Sequence, residues 1–204
     1  MKIKSFKIKS ILLGLILFFG HFTSLLAQDT FINPIIPGGH PDPSICRAGD
    51  DYYIVNSTFE YFPGLPIHHS KDLVNWELIG YGLHRPDQAT GAVNLVDVQQ
   101  NGGIHAPTIR YNNGLFYIIV TNVYSPKDKS KPGEMVNFII TAKDPAGPWS
   151  NPHVIEGAPG IDPDIFFDDL VRRKYLGYHV YLVVHLQHTC DVPSNFFDLH
   201  LLKI

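Results

Sequence analysis

Three stretches of this 204-residue chain follow one pattern, and that repetition limits its fold more than any single segment does. They are His40-Pro41-Asp42-Pro43-Ser44-Ile45, His105-Ala106-Pro107-Thr108-Ile109-Arg110 and Gly160-Ile161-Asp162-Pro163-Asp164-Ile165. Each is a proline-marked loop leading into a short apolar run, followed by an Asp/Asn turn: Asp50-Asp51, Asn112-Asn113-Gly114 and Asp168-Asp169. The first two copies continue into aromatic and β-branched runs, Tyr52-Tyr53-Ile54-Val55 and Leu115-Phe116-Tyr117-Ile118-Ile119-Val120, which read as second strands. Starts about 60 residues apart belong to propeller blades or similar arrays. The ends repeat as well, with Ser70-Lys71-Asp72-Leu73-Val74-Asn75-Trp76 matching Ala142-Lys143-Asp144-Pro145-Ala146-Gly147-Pro148-Trp149. A tryptophan closing each unit fits an outer strand capped by its ring. The fold class expected is therefore all-β.

Asp42 sits between two prolines. Each proline ring fixes its own φ near −65°, and Pro43 steers Asp42 away from the helical region, so a rigid, extended loop is expected here. By itself such a segment is also an ordinary Asx-type turn. Recurrence favours a site, because radial repeats carry loops from distant positions to one axis. Asp42 and Asp162, 120 positions apart, can meet there. His105 occupies a comparable place in the second copy and is expected to face the same cavity.

Hydrophobic content of 45% is ample for a packed core, and 16 Pro with 17 Gly demand many turns. Net charge of −3 offers no electrostatic case for nucleic acid or an anionic membrane surface. Lys2, Lys4, Lys7 and Lys9 precede an apolar run from Ile11 to Phe19, and Leu25-Leu26-Ala27 offers a cleavage site before Gln28. Residues 1–27 thus read as a signal peptide, too short in its apolar part to span a bilayer of about 20 residues. Export to the periplasm or the medium is expected, without a membrane span in the mature chain. Cys46 and Cys190 lack metal-site spacing, and Cys46 is expected to be a free buried thiol. His68-His69 is an unpromising metal pair, since adjacent strand side chains face opposite ways. No metal and no cofactor are expected.

After the second strand the chain runs through Asn56-Ser57-Thr58-Phe59-Glu60-Tyr61-Phe62-Pro63-Gly64. Phe59 and Tyr61 on a loop can stack on the apolar face of a sugar ring, or fill core between sheets. The polar, irregular stretch from Leu83 to Gly103 is long enough to shape or cover a site.

Taken together in order, Asn33 to Ile45, Asp51-Tyr52-Tyr53, Ser57-Thr58-Phe59-Glu60, Ile67-His68-His69-Ser70-Lys71-Asp72-Leu73, Trp76, Gly102 to Pro107 and Gly160 to Pro163 resemble family 43 glycoside hydrolases, especially their β-xylosidase-like branch. The resemblance covers residues 31–169. It implies a five-bladed β-propeller, here in part with two to three blades, that cleaves β-xylosides or α-L-arabinofuranosides with inversion. The substrates it implies are xylose- or arabinose-containing oligosaccharides of the plant cell wall. It implies Asp42 as general base and Asp162 as the aspartate that tunes the acid's pKa and orients it, with Asp164 a competing choice for that second role. Phe59 falls at a sugar-lining position. His105 stands where relatives commonly carry a tryptophan or another aromatic.

The pattern stops after Asp169. No turn glycine directly follows, no Lys-Asp-x-x-Trp closure recurs, and no Glu-Gly-Pro of the kind that carries the general acid is present. No glutamate lies beyond Glu156. The expectation is a domain over residues 28–169, an aberrant or frame-shifted tail over 170–204, and no general acid in this chain. A sugar-binding fragment that does not cleave, and a non-functional truncated product, are the alternatives.

Overall fold

In the computed structural model the described residues are 30–91, 93–158, 160–167, 180–185 and 199–202. The expected leader over 1–27 and Cys190 lie outside them. The chain divides after Ile35, and every strand among the described residues lies in the unit Ile36–Ile204.

That unit is all-β and antiparallel. Strands β1 (Ser44–Ala48), β2 (Asp51–Val55), β3 (Gly64–Ser70) and β4 (Glu77–Leu83) pair in chain order. So do β5 (Gly103–Asn112), β6 (Leu115–Tyr124), β7 (Glu134–Ala142) and β8 (His153–Val154). A third sheet joins β9 (Ile161–Phe167) to β10 (Val180–His185) and β10 to β11 (Leu199–Leu202). The chain after Asp169, set aside on sequence grounds, thus supplies two strands whose backbones extend β9.

Local chemistry explains the hairpins. Asn113 and Gly114 have φ of 51° and 81°, the positive pair that a two-residue primed turn needs, and Asn112 pairs with Leu115 across it. In β5 the register slips between His105 and Thr108. Pro107 has no N–H to offer the ladder, so a bulge is the stable solution.

The second sheet is buried on both faces, which is why its strands are apolar almost without interruption. Ile118 and Val120 on β6, with Phe138 and Ile140 on β7, pack with Val55, Leu65, Ile67 and Leu83 of the first sheet. Their strand neighbours Ile119 and Ile139 point the other way and pack with Ile165 of β9. Strand β5 touches both β1 and β9, so the leading strands of the three sheets are neighbours. The matching tryptophans differ: Trp149 is 1% exposed within the core, whereas Trp76 is only half-buried, each donating its indole N–H to a turn carbonyl.

The connection from β4 to β5 is anchored by a short 3₁₀ helix, Pro86–Ala89. The fully buried Gln88 side chain accepts from His84 N and Arg85 N and donates to Gly82 O and Ser150 O. This stretch therefore braces the end of the second sheet, and it supplies none of the residues lining the depression described next. Among the described residues no helix is long and apolar enough to cross a membrane.

Candidate functional site

The three proline-marked loops end at one place. Asp42, Ala106 and Asp162 each precede a proline and each has a positive φ, at 50°, 43° and 57°. The extended conformation expected of Asp42 is replaced by a left-handed one. Such backbone costs about 1–3 kcal/mol per residue and persists only where its surroundings impose it. For Asp42 those surroundings are hydrogen bonds: Ser57 N donates to Pro41 O at 3.0 Å, and Ser57 Oγ donates to Asp42 Oδ2 at 2.7 Å.

The same three residues line an open depression of about 600 Å³ with Ser44, Thr108 and Arg110. Asp42 and Asp162 are both exposed in it. Asp164, the competing carboxylate, is engaged elsewhere: Arg110 Nη2 donates to its Oδ1 at 2.7 Å and its Oδ2 at 2.9 Å, and Ile165 N donates to Oδ1 at 2.7 Å. None of the glutamates at 60, 77, 134 and 156 lines this depression. Glu134 and Glu156 border a separate one beside β7, and Glu60 Oε2 accepts from Asn101 N at 3.1 Å.

A second depression, of about 610 Å³, is lined by Gly39, His40, Pro41, Ser57, Thr58, Phe59 and Tyr61. Tyr61 is 69% exposed and Phe59 partly so. His105 lines neither depression. Its ring meets the Phe59 ring edge-on, 4.9 Å between centroids, and its Nε2 lies 3.1 Å from Asn101 O. In the second loop it is Ala106, one residue on, that takes the place of Asp42. The reason is the bulge, which turns Ala106 rather than His105 toward the depression.

His40 Nε2 lies 3.2 Å from Pro37 O, and its ring packs edge-on against buried His68, 5.2 Å between centroids. Burial, and secondarily His40, lower the pKa of His68. Its strand neighbour His69 turns to the opposite face and pairs with Asp51 at 2.6 Å. Among the described residues no group of three His, Cys, Asp or Glu side chains is placed to hold a metal ion. Cys46 is a free, partly buried thiol whose pKa is pushed up to about 12 by burial, the Arg110 charge opposing this weakly. Such a thiol is a core side chain, not a nucleophile.

Sequence reasoning missed Ser57, His40 and Arg110. A signal for Ser57 was present: the apolar runs of β2 and β6 are each followed by a polar pair, Asn56-Ser57 just past the end of β2 and Thr121-Asn122 within β6, and all four residues are buried.

Comparison with known proteins gives a consistent result. The model of glycosyl hydrolases family 43 matches residues 31–182. A non-reducing end alpha-L-arabinofuranosidase of Bacteroides ovatus is 55% identical over 145 residues, 71% of this chain and 25% of that protein. A xylan 1,3-beta-xylosidase of a Vibrio species is 44% identical over 147 residues, 72% of this chain and 26% of that one. Among solved structures, a family 43 protein of Bacillus licheniformis superposes with a TM-score of 0.67 at 38% identity, covering 85% of this chain and 30% of that chain. This chain thus spans about a quarter of the length of the curated relatives it matches.

Proposed function

Since the chain belongs to glycosyl hydrolase family 43, we propose that it carries the water-activating side of an inverting β-xylosidase or α-L-arabinofuranosidase site. Its three sheets act as blades of a five-bladed propeller whose funnel is the Asp42–Asp162 depression. The observation that carries this reading is the meeting of these two aspartates, in the same strained conformation, on one open surface.

In an inverting hydrolysis a base takes a proton from water as it attacks one face of the anomeric carbon, while an acid protonates the leaving oxygen on the other. Asp42 is the base. Asp162 is the second carboxylate, whose charge keeps a neighbouring acid protonated and oriented. Asp164 is unsuited to that task because its charge is matched by Arg110. Phe59 and Tyr61 give the sugar an apolar platform beside the base. The substrates are xylose- or arabinose-containing oligosaccharides, in keeping with the names of the relatives. The basic and apolar N-terminal stretch fits export through residues 1–27.

The general acid is missing from these residues. A positioned acid is typically worth about 10² to 10⁴ in rate. The 204-residue chain is therefore expected to leave xylobiose intact. It retains a trace of activity on 4-nitrophenyl β-D-xylopyranoside or α-L-arabinofuranoside, whose leaving groups need little protonation, and Asp42→Ala removes that trace. Robust xylobiose cleavage would show that the acid lies within the chain after all, and an aryl activity untouched by Asp42→Ala would remove Asp42 from the role of base. A second reading, sugar binding without cleavage, is favoured by the Phe59 and exposed Tyr61 rings lining a depression of their own. Calorimetric binding of xylotriose with no turnover of any aryl glycoside would select it.

A further inference from the structure

We propose that Ser57 is the positioning residue of Asp42: its hydroxyl fixes the carboxylate through Oδ2 and leaves Oδ1 as the atom that accepts the proton of the attacking water. The inference rests on the reading of Asp42 as base.

Ser57 is 3% exposed, at the point where the chain leaves β2. Its Oγ makes two short bonds of opposite sense. Ala106 N, which can only donate, lies 2.7 Å from Oγ, so Oγ accepts there. That directs the single hydroxyl proton to Asp42 Oδ2, also 2.7 Å away. A hydroxyl polarised by an incoming N–H and donating to a carboxylate is a charge-assisted link, stronger than a neutral one. Among the described residues no protein group donates to Oδ1. The carboxylate is thereby held by one oxygen and open at the other, the arrangement a general base requires.

The link also joins two sheets. Ser57 N holds Pro41 O, Thr58 N and Phe59 N bond Ile104 O, and Ile104 N bonds Phe59 O. A serine between the Asp42 loop and the Ala106 loop therefore sets the base against the second sheet as well as against its own loop. The corresponding residue of the second sheet is Thr121, since Ser44 pairs with Val55 as Thr108 pairs with Ile119, and its hydroxyl is used differently: Oγ1 donates to Asn137 Oδ1 at 2.6 Å, inside its own sheet. The donor–acceptor arrangement occurs where a carboxylate needs aiming and not at Ala106, which has none.

The test uses the full chain with Ser57→Ala, Ser57→Thr and Asp42→Ala. Amide exchange needs no turnover: the Ala106 N–H should exchange at least about tenfold faster in Ser57→Ala, with the strand amides of β2 and β6 unchanged. On 4-nitrophenyl β-D-xylopyranoside, Ser57→Ala should lower kcat about tenfold or more with KM within about twofold, and Ser57→Thr, which keeps the hydroxyl, should recover most of the loss. A crystal structure of Ser57→Ala should show the Asp42 carboxylate turned from its present setting. An Ala106 amide no faster in Ser57→Ala, or an Asp42 carboxylate unmoved there, overturns the proposal even in a chain that hydrolyses nothing. Activity abolished by Asp42→Ala but untouched by Ser57→Ala overturns it while sparing Asp42 as base. Activity indifferent to Asp42→Ala removes the base itself, and the role of Ser57 with it.

Discussion

Arg110 on β5 reaches Asp164 on β9 with one guanidinium nitrogen, 2.7 Å from one carboxylate oxygen and 2.9 Å from the other. This ion pair bridges the leading strands of the second and third sheets at the edge of the Asp42–Asp162 depression. It also sets apart two aspartates only two positions apart, Asp164 matched by a cation and Asp162 open to the depression.

Its contribution to stability is small. The side chains are 34% and 48% exposed, so water screens the pair, and exposed pairs are worth about 0–1 kcal/mol. Asp164→Asn should lower the urea-unfolding free energy by no more than about 1 kcal/mol and leave initial rates on an aryl xyloside unchanged, whereas Asp162→Asn should reduce those rates. Equal losses of rate in the two variants would show that the auxiliary role is shared.

Gly103 is a tighter constraint. It has a φ of 89°, and a Cβ built there would lie 2.2 Å from the backbone oxygen of Phe59. Because that oxygen accepts from Ile104 N, the strain falls on the bridge joining the first two sheets. Gly103→Ala should cost several kcal/mol, in the range of about 3 or more that marks severe single substitutions. Gly114→Ala, at a φ of 81° with nothing within 4 Å, should cost only about 1 kcal/mol. Thermal or urea midpoints of the two variants compare them directly, and equal losses would mean that the Phe59–Gly103 approach is looser than described.

His68 makes the fold sensitive to mild acid. Its pKa is lowered from 6.5 by burial and then by the His40 ring beside it, and its Nδ1 has no partner. A histidine held below its unfolded value binds a proton more readily when the chain unfolds. The stability due to its neutral form is complete above pH 6.5 and falls as pH drops through the window below it. Asp72 acts in a different range. Backbone and side-chain bonds from Asn75, with help from Val74 and Ser70, hold it well below 3.8, so its contribution is lost only in stronger acid. Between pH 7.5 and 5 the urea midpoint should therefore decline in the native chain and decline less in His68→Phe, which keeps the ring contact without the titration. Identical slopes would place the acid sensitivity elsewhere.

What the sequence by itself determined was local. The Asn113-Gly114 pair specifies a turn that only positive φ satisfies, Pro107 forbids an unbroken ladder in β5, and the near-continuous apolar runs of β6 and β7 mark a sheet buried on both faces. The aspartates before Pro43 and Pro163 stood out as a recurring Asp-Pro pair, but the extended backbone expected of Asp42 is left-handed, at a φ of 50°. What only the tertiary structure decided depends on how the sheets pack. The bulge sets Ala106 and not His105 beside Asp42, and one tryptophan is enclosed by the first two sheets while its counterpart is left half-open. Arg110 takes Asp164 out of contention, and Ser57 reaches across to a carboxylate 15 positions earlier and an amide 49 positions later. These are contacts between residues whose own sequence neighbourhoods say nothing of one another. They exist because burying both faces of the second sheet brings three loops to one edge, and no local preference encodes which side chains will meet there.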